Sequence, residues 1–247
     1  YFFTGGMPEA VKVWAETESL LEVGAVQSEI LDSYRDDFSK YRTRMDISCL
    51  DSVFLNTAKS VGEQLKYIKL SPGHSGQQNR KAFELLEKAR VVKRIPSIDP
   101  SGLPLGATAN QKKFKAAFVD IGLFQNLCGV SLDNELNERN LLSMYRGKLA
   151  EQFAAQAILA KTDTELYYWA REAKSSSAEV DFIITFNGEI IPVEVKSGSA
   201  GRLKSMRLFL DKYPGSPYGI VLYDGTYKEL PEQKLIFMPL YCISALL

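Results

Sequence analysis

Histidine is almost missing from this chain of 247 residues: His74 is the single one. That excludes a His-rich zinc centre and leaves any Ser–His mechanism to one residue in Pro72-Gly73-His74-Ser75-Gly76, a turn sequence in which it reads as solvated. Cysteine is scarce too. Cys49, Cys128 and Cys242 lie far apart without metal-ligand spacing and read as buried thiols of a reducing, cytoplasmic setting. Net charge is absent, because 30 basic residues balance 30 acidic ones. A globally basic nucleic-acid binder is therefore excluded, although local patches are not. No apolar run reaches the roughly 18 residues of a membrane span and no signal peptide is visible, so no membrane partner is expected. The opening Tyr1-Phe2-Phe3-Thr4-Gly5-Gly6-Met7-Pro8 reads as the continuation of a longer polypeptide.

What is present is patterned. Pro8 to Trp14 predicts a short helix with Pro in its first turn. Residues 25–42 place Ile30, Leu31, Tyr34, Phe38 and Tyr41 at helical spacing, and 46–59 repeat the pattern with Ile47, Leu50, Val53, Phe54 and Leu55. A helix is expected from Val61 to about Leu70, and another over Asn79–Ala89. Val91 to Pro96 reads as a strand, followed by a Pro- and Gly-rich loop over 97–112 and a strand over 113–120. Three helices and two strands in this order form a winged-helix pattern over 46–120. Its basic cluster, Arg80 and Lys81 above all, reads either as the wet side of a helix or as a face that tracks phosphates.

The second half predicts a long helix over Asn140–Lys161, with a buried stripe of Leu142, Tyr145, Leu149, Phe153, Ala157 and Leu159. A strand over Leu166–Trp169 follows, then a polar loop from Arg171 to Ser177, a hairpin, a basic helix over 202–212 and a strand over Tyr218–Leu222. Tyr167, Tyr168 and Trp169 read as core and sheet residues. The fold class is α+β: a helical, winged-helix N-terminal part followed by a mixed α/β domain.

The hairpin carries the chemistry. Asp181 lies in Ala178-Glu179-Val180-Asp181-Phe182-Ile183-Ile184, and Glu194 and Lys196 lie in Ile191-Pro192-Val193-Glu194-Val195-Lys196, across a turn at Asn187-Gly188. Side chains alternate along a strand, so Glu194 and Lys196 share a face, and antiparallel pairing brings Asp181 beside them. Two carboxylates and a lysine can hold a divalent metal and a reactive water. Lys196, within about 4 Å of the carboxylates, would depress their pKa values. Glu179 shares Asp181's face but sits one step further out and reads as an exposed neighbour. The same Glu-x-Lys also suits a solvated stripe or a cross-strand ion pair.

The order of a helix with Glu151, a strand with Asp181 and a strand with Glu194-Val195-Lys196 resembles the PD-(D/E)xK nuclease-like fold. More narrowly, the chain resembles the C-terminal half of a prokaryotic AAA-type ATPase family with a nuclease-like tail. The residues that carry this are Gly5-Gly6-Met7-Pro8-Glu9-Ala10-Val11, Tyr34-Arg35-Asp36-Asp37-Phe38-Ser39-Lys40-Tyr41, Gly147-Lys148-Leu149-Ala150-Glu151-Gln152-Phe153, Tyr168-Trp169-Ala170-Arg171-Glu172 and the hairpin. The resemblance implies an ATPase lid remnant over 1–45, a winged-helix module over 46–120 and a nuclease-like, restriction-endonuclease-like domain over 121–247. It implies Mg2+ or Mn2+ held by Asp181, Glu194 and Glu151, and catalysis by Lys196, Glu194 and Asp181. DNA is the expected partner: Arg202, Lys204 and Arg207 on the basic helix, and Arg80 and Lys81 on the winged-helix module, could hold its backbone. No G-x-x-x-x-G-K-[ST] occurs here, so ATP belongs to the preceding ATPase domain. Three readings stay open: a metal-dependent nuclease, a catalytically inactive module that binds nucleic acid or protein, and a scaffold for homo-oligomers.

Overall fold

A computed structural model describes all residues except 42–44, 130–141, 162–164, 174–175, 198–202 and 247. The backbone divides into two compact units. One comprises Tyr1–Lys93 with Ala116–Leu142, the other Arg94–Lys115 with Ser143–Leu247.

The first unit is mostly helical: α1 (Pro8–Thr17), α2 (Leu20–Phe38), α3 (Ile47–Lys59), α4 (Tyr67–Leu70), α5 (Gly76–Lys88) and α6 (Ile121–Leu127). Local chemistry sets the helix starts. Asp46 caps α3, and Ser75 with Gln78 forms a reciprocal capping box on α5. The helix expected over 61–70 shrinks to one turn, because Gly62 adopts φ +80 and interrupts it. Leu31, Leu50, Val53, Phe54, Phe83, Leu86 and Phe124 fill the core, with Phe38 and Phe54 edge to face at 5.5 Å. Asp120 caps α6 and also accepts the Gly6 N–H at 2.6 Å. Gly5, at φ +69, has no room for a Cβ there, since Asp120 Oδ1 would lie 2.2 Å away. His74 is not a solvated turn residue: Ser71 lies 2.8 Å from its Nδ1 and Asp46 3.2 Å from its Nε2. Of the cysteines, Cys49 is buried, whereas Cys128 and Cys242 are partly exposed.

A mixed sheet dominates the second unit. Two strands are divided between the units: β1 (Val92–Ser97) begins in the first and β2 (Asn110–Phe118) ends in it. They are followed by α7 (Leu142–Lys161), β3 (Tyr167–Ala173), β4 (Ser176–Phe186), β5 (Glu189–Val195), α8 (Lys204–Lys212), β6 (Gly219–Tyr223), β7 (Lys228–Leu230), β8 (Leu235–Pro239) and α9 (Ile243–Leu246). The order across the sheet is β2-β1-β3-β4-β5-β6-β8-β7. The fold is thus mixed α/β with eight strands among the described residues.

The hairpin β4–β5 forms where expected, with Phe182 opposite Val193 and Phe186 opposite Glu189. Asn187 (φ 51) and Gly188 (φ 80) are both left-handed, as a two-residue hairpin turn that follows the strand twist requires. The polar loop expected over 171–177 is largely strand, because Arg171 pairs with Ala178 and Ala173 with Ser176. Strands β7 and β8 extend the sheet beyond the expected last strand. On α7 the buried line runs through Leu149, Ala150, Ala154, Ala155 and Ile158 rather than through Phe153 and Ala157. Against β4, the apolar face of α8 contributes Met206, Phe209 and Leu210 to a core that contains Trp169, Val180, Ile183, Val221 and Phe237. Trp169 and Tyr168 are buried, as expected.

Candidate functional site

Strand β4 projects Glu179 and Asp181 to one face, two residues apart. One step beyond the Phe182–Val193 pair of the hairpin, Asp181 meets the end of β5: its Oδ2 accepts the Val195 N–H at 2.8 Å. Glu194 is 7 % exposed, and its Oε1 accepts from Lys196 Nζ at 2.5 Å. Lys196 is itself anchored through its backbone N–H, which donates to Leu222 O at 2.7 Å. Helix α7 adds Glu151. The four residues named from the sequence therefore gather in one place, within the second unit.

Lys115, on β2, joins them. It is 1 % exposed, and its ammonium lies 2.5 Å from Glu179 Oε1 and 3.4 Å from both Glu151 Oε2 and Asp181 Oδ1. It also sits 5.5 Å from the centre of the Tyr168 ring. Glu179, expected to be an exposed neighbour, is 40 % exposed at its side chain, yet it pairs with Lys115. The sequence signal for Lys115 was a charge inside Phe114-Lys115-Ala116-Ala117-Phe118, an otherwise apolar strand. A buried lysine needs acidic partners.

Burial governs the proton affinities. It would push the Lys115 ammonium down, but Glu151, Asp181 and Glu179 together hold it well above the usual lysine range. Burial, reinforced by the charge of Asp181, lifts Glu151 to about 8. It lifts Glu194 to about 7, again with help from Asp181 and against the pull of Lys196. At Glu194 the expected lowering by Lys196 is present but outweighed, because desolvation of a nearly buried acid exceeds the pull of one ammonium. Four carboxylates face two lysines here, and two of the acids keep protons near neutral pH.

A divalent ion fits this arrangement poorly. Mg2+ and Mn2+ need several hard oxygens, usually at least one or two carboxylates among them. Both oxygens of Asp181 are engaged, one by Lys115 and one by the Val195 N–H, and Glu194 Oε1 is engaged by Lys196. Among the described residues, no group of three or more His, Cys, Asp or Glu side chains is arranged to hold a metal ion. A divalent charge about 4 Å from the Lys115 ammonium would be repelled by roughly 8 kcal/mol at an effective dielectric constant of about 20. One feature points the other way: Glu194 Oε2 is buried without a hydrogen-bond partner.

The other site residues are dispersed. Lys204 and Arg207 are exposed on α8, where Arg207 Nη2 donates to Gln233 Oε1 at 3.1 Å. Arg202 lies outside the described residues. Arg80 and Lys81 are exposed on α5 of the first unit, and Arg80 pairs with Glu84 at 2.7 Å.

Residues 1–134 match a family model described as Domain of unknown function (DUF8612), which spans more than half of the chain. The chain belongs to that family. Residues 146–243 match a second, Domain of unknown function (DUF4143), a domain found in AAA-ATPase-associated proteins, consistent with the C-terminal part of an ATPase family. That second match takes in Glu151, Glu179, Asp181, Glu194 and Lys196. No curated protein and no solved structure matches the chain. No helix among the described residues is long and apolar enough to cross a membrane.

Proposed function

We propose that the C-terminal unit is a nuclease-like module of an ATPase-associated protein that holds the backbone of nucleic acid without cutting it. The observation that carries this is the state of the acids. The carboxylates that would bind a catalytic ion are engaged by lysines and a backbone amide of the chain itself. Lys204 and Arg207 remain on an exposed helix face as groups for phosphate contact. Residues 46–120, read as a winged-helix module, would add Arg80 and Lys81. In this reading ATP binds only in the ATPase domain, and the protein works in the cytoplasm.

The partnerless Glu194 Oε2 favours a second reading, cleavage dependent on Mg2+ or Mn2+. One assay separates the two. Single-stranded and plasmid DNA are incubated with the chain and either ion, and binding is followed across a salt series. The proposal expects salt-sensitive retention of intact DNA, weakened about tenfold or more by Lys204→Glu with Arg207→Glu. Metal-dependent nicking that disappears in Lys196→Ala would establish the nuclease instead. Self-association without DNA retention would leave the scaffold reading.

A further inference from the structure

We propose that the pair of helices α1 and α2 docks a basic amphipathic helix of a partner protein, with Trp14 as the apolar anchor. The inference concerns the first unit and is independent of the reading of the second, so a failed DNA assay leaves it standing.

Helix α1 packs on α2 and uses only part of its apolar surface to do so: Ala10 is buried and Val13 half-buried. Val11 and Trp14, three residues apart and therefore neighbours on the helix surface, remain 43 % and 37 % exposed. Leu21, in the first turn of α2, is 84 % exposed. One exposed apolar side chain is ordinary, but three large ones on two short consecutive helical turns mark a surface that a partner covers. Tryptophan is among the side chains most enriched at the centre of such contacts.

Charge identifies the occupant. Residues 9–29 carry Glu9, Glu16, Glu18, Glu22 and Glu29 against Lys12 alone. Further along α2 the acids are matched, Asp32 by Arg35 at 3.0 Å and Asp37 by Lys40 at 2.5 Å. Beside the exposed apolar residues they are not: no ion pair among the described residues involves Glu16, Glu18, Glu22 or Glu29. Such acids repel the phosphates of nucleic acid and of anionic lipid. In a two-fold contact between copies of this chain they would also face one another. They complement a helix whose apolar stripe is bordered by lysine and arginine.

The probe is a helical peptide of leucine and lysine with its leucines on one face, and the control carries glutamate in place of lysine. Binding to the whole chain is read by calorimetry and by tryptophan emission at low and high salt. Trp169, the other tryptophan, is buried, so a shift in emission reports Trp14. The lysine peptide is expected to bind, to move that emission to shorter wavelength and to lose affinity as salt rises. The glutamate peptide is expected not to bind. Trp14→Ser, and Glu18→Lys with Glu22→Lys, should each weaken the lysine peptide about tenfold or more. Their thermal midpoints should stay near that of the wild type, because all three side chains are exposed. No binding of the lysine peptide overturns the proposal, as does equal binding of both peptides or binding that both variants leave intact. A dimer dissolved by Leu21→Glu would assign the face to a second copy, and retention on phosphatidylserine vesicles lost in Trp14→Ser would assign it to lipid; either result overturns the proposal.

Discussion

Glu194 carries the most direct pH prediction. Its folded pKa of about 7 lies above the value of about 4.3 expected in an unfolded chain. Below about pH 4 both states hold the proton and the group is neutral in its effect. As pH rises toward 7 the unfolded chain ionises first, so stability falls. Above about 7 the full penalty remains, roughly 3–4 kcal/mol for this residue. Glu151, lifted to about 8, extends the same fall by another unit. Lys115 adds nothing to the slope, because its shift lies beyond this window. Glu194→Gln imitates the protonated acid. Denaturation midpoints of wild type and Glu194→Gln should lie close at pH 4 and diverge by pH 8, with the variant more stable. Parallel curves across that range would show that Glu194 is ionised at an ordinary carboxylate pKa.

At the scale of elements, the β4–β5 hairpin sets the site. The period-two pattern places Asp181 and Glu179 on one face, and the turn fixes the register that brings Asp181 to the Val195 amide. Gly188 is the weak point, since its φ of +80 suits glycine and nothing lies within 4 Å of a Cβ built there. Gly188→Ala therefore meets no clash and costs only the left-handed conformation, about 1–2 kcal/mol, visible as a lower urea midpoint. Asn187→Gly should be close to neutral by the same measurement. Equal losses for both would mean that turn conformation does not control this hairpin. The shortened α4 teaches the complementary lesson: its apolar spacing was legible, but Gly62 at φ +80 interrupted the helix that the spacing implied.

At the scale of the whole molecule, the balance of 30 basic and 30 acidic residues limits long-range attraction to nucleic acid. Binding through a local patch neutralises few phosphates. The logarithm of the binding constant should then fall against the logarithm of salt concentration with a slope of about −2 to −4. A slope near −8 would require a basic surface that this composition does not suggest. The division into two units has its own consequence. Strands β1 and β2 belong partly to each unit, so the chain leaves the first unit, returns to it and leaves again. A boundary placed from composition alone follows the chain in one direction and cannot represent that interleaving.

The hairpin, the long helix with Glu151, and the face shared by Glu194 and Lys196 are legible in the sequence, because they follow from local periodicity and turn chemistry. Lys115 and the pairing of Glu179 are not. Lys115 meets Glu151 across 36 residues and Asp181 across 66, and no local pattern encodes such pairings. Tertiary structure also reversed the electrostatics. A lysine two residues away predicts more acidic carboxylates, whereas burial makes Glu151 and Glu194 weaker acids, and burial arises only when distant strands and a helix close over them.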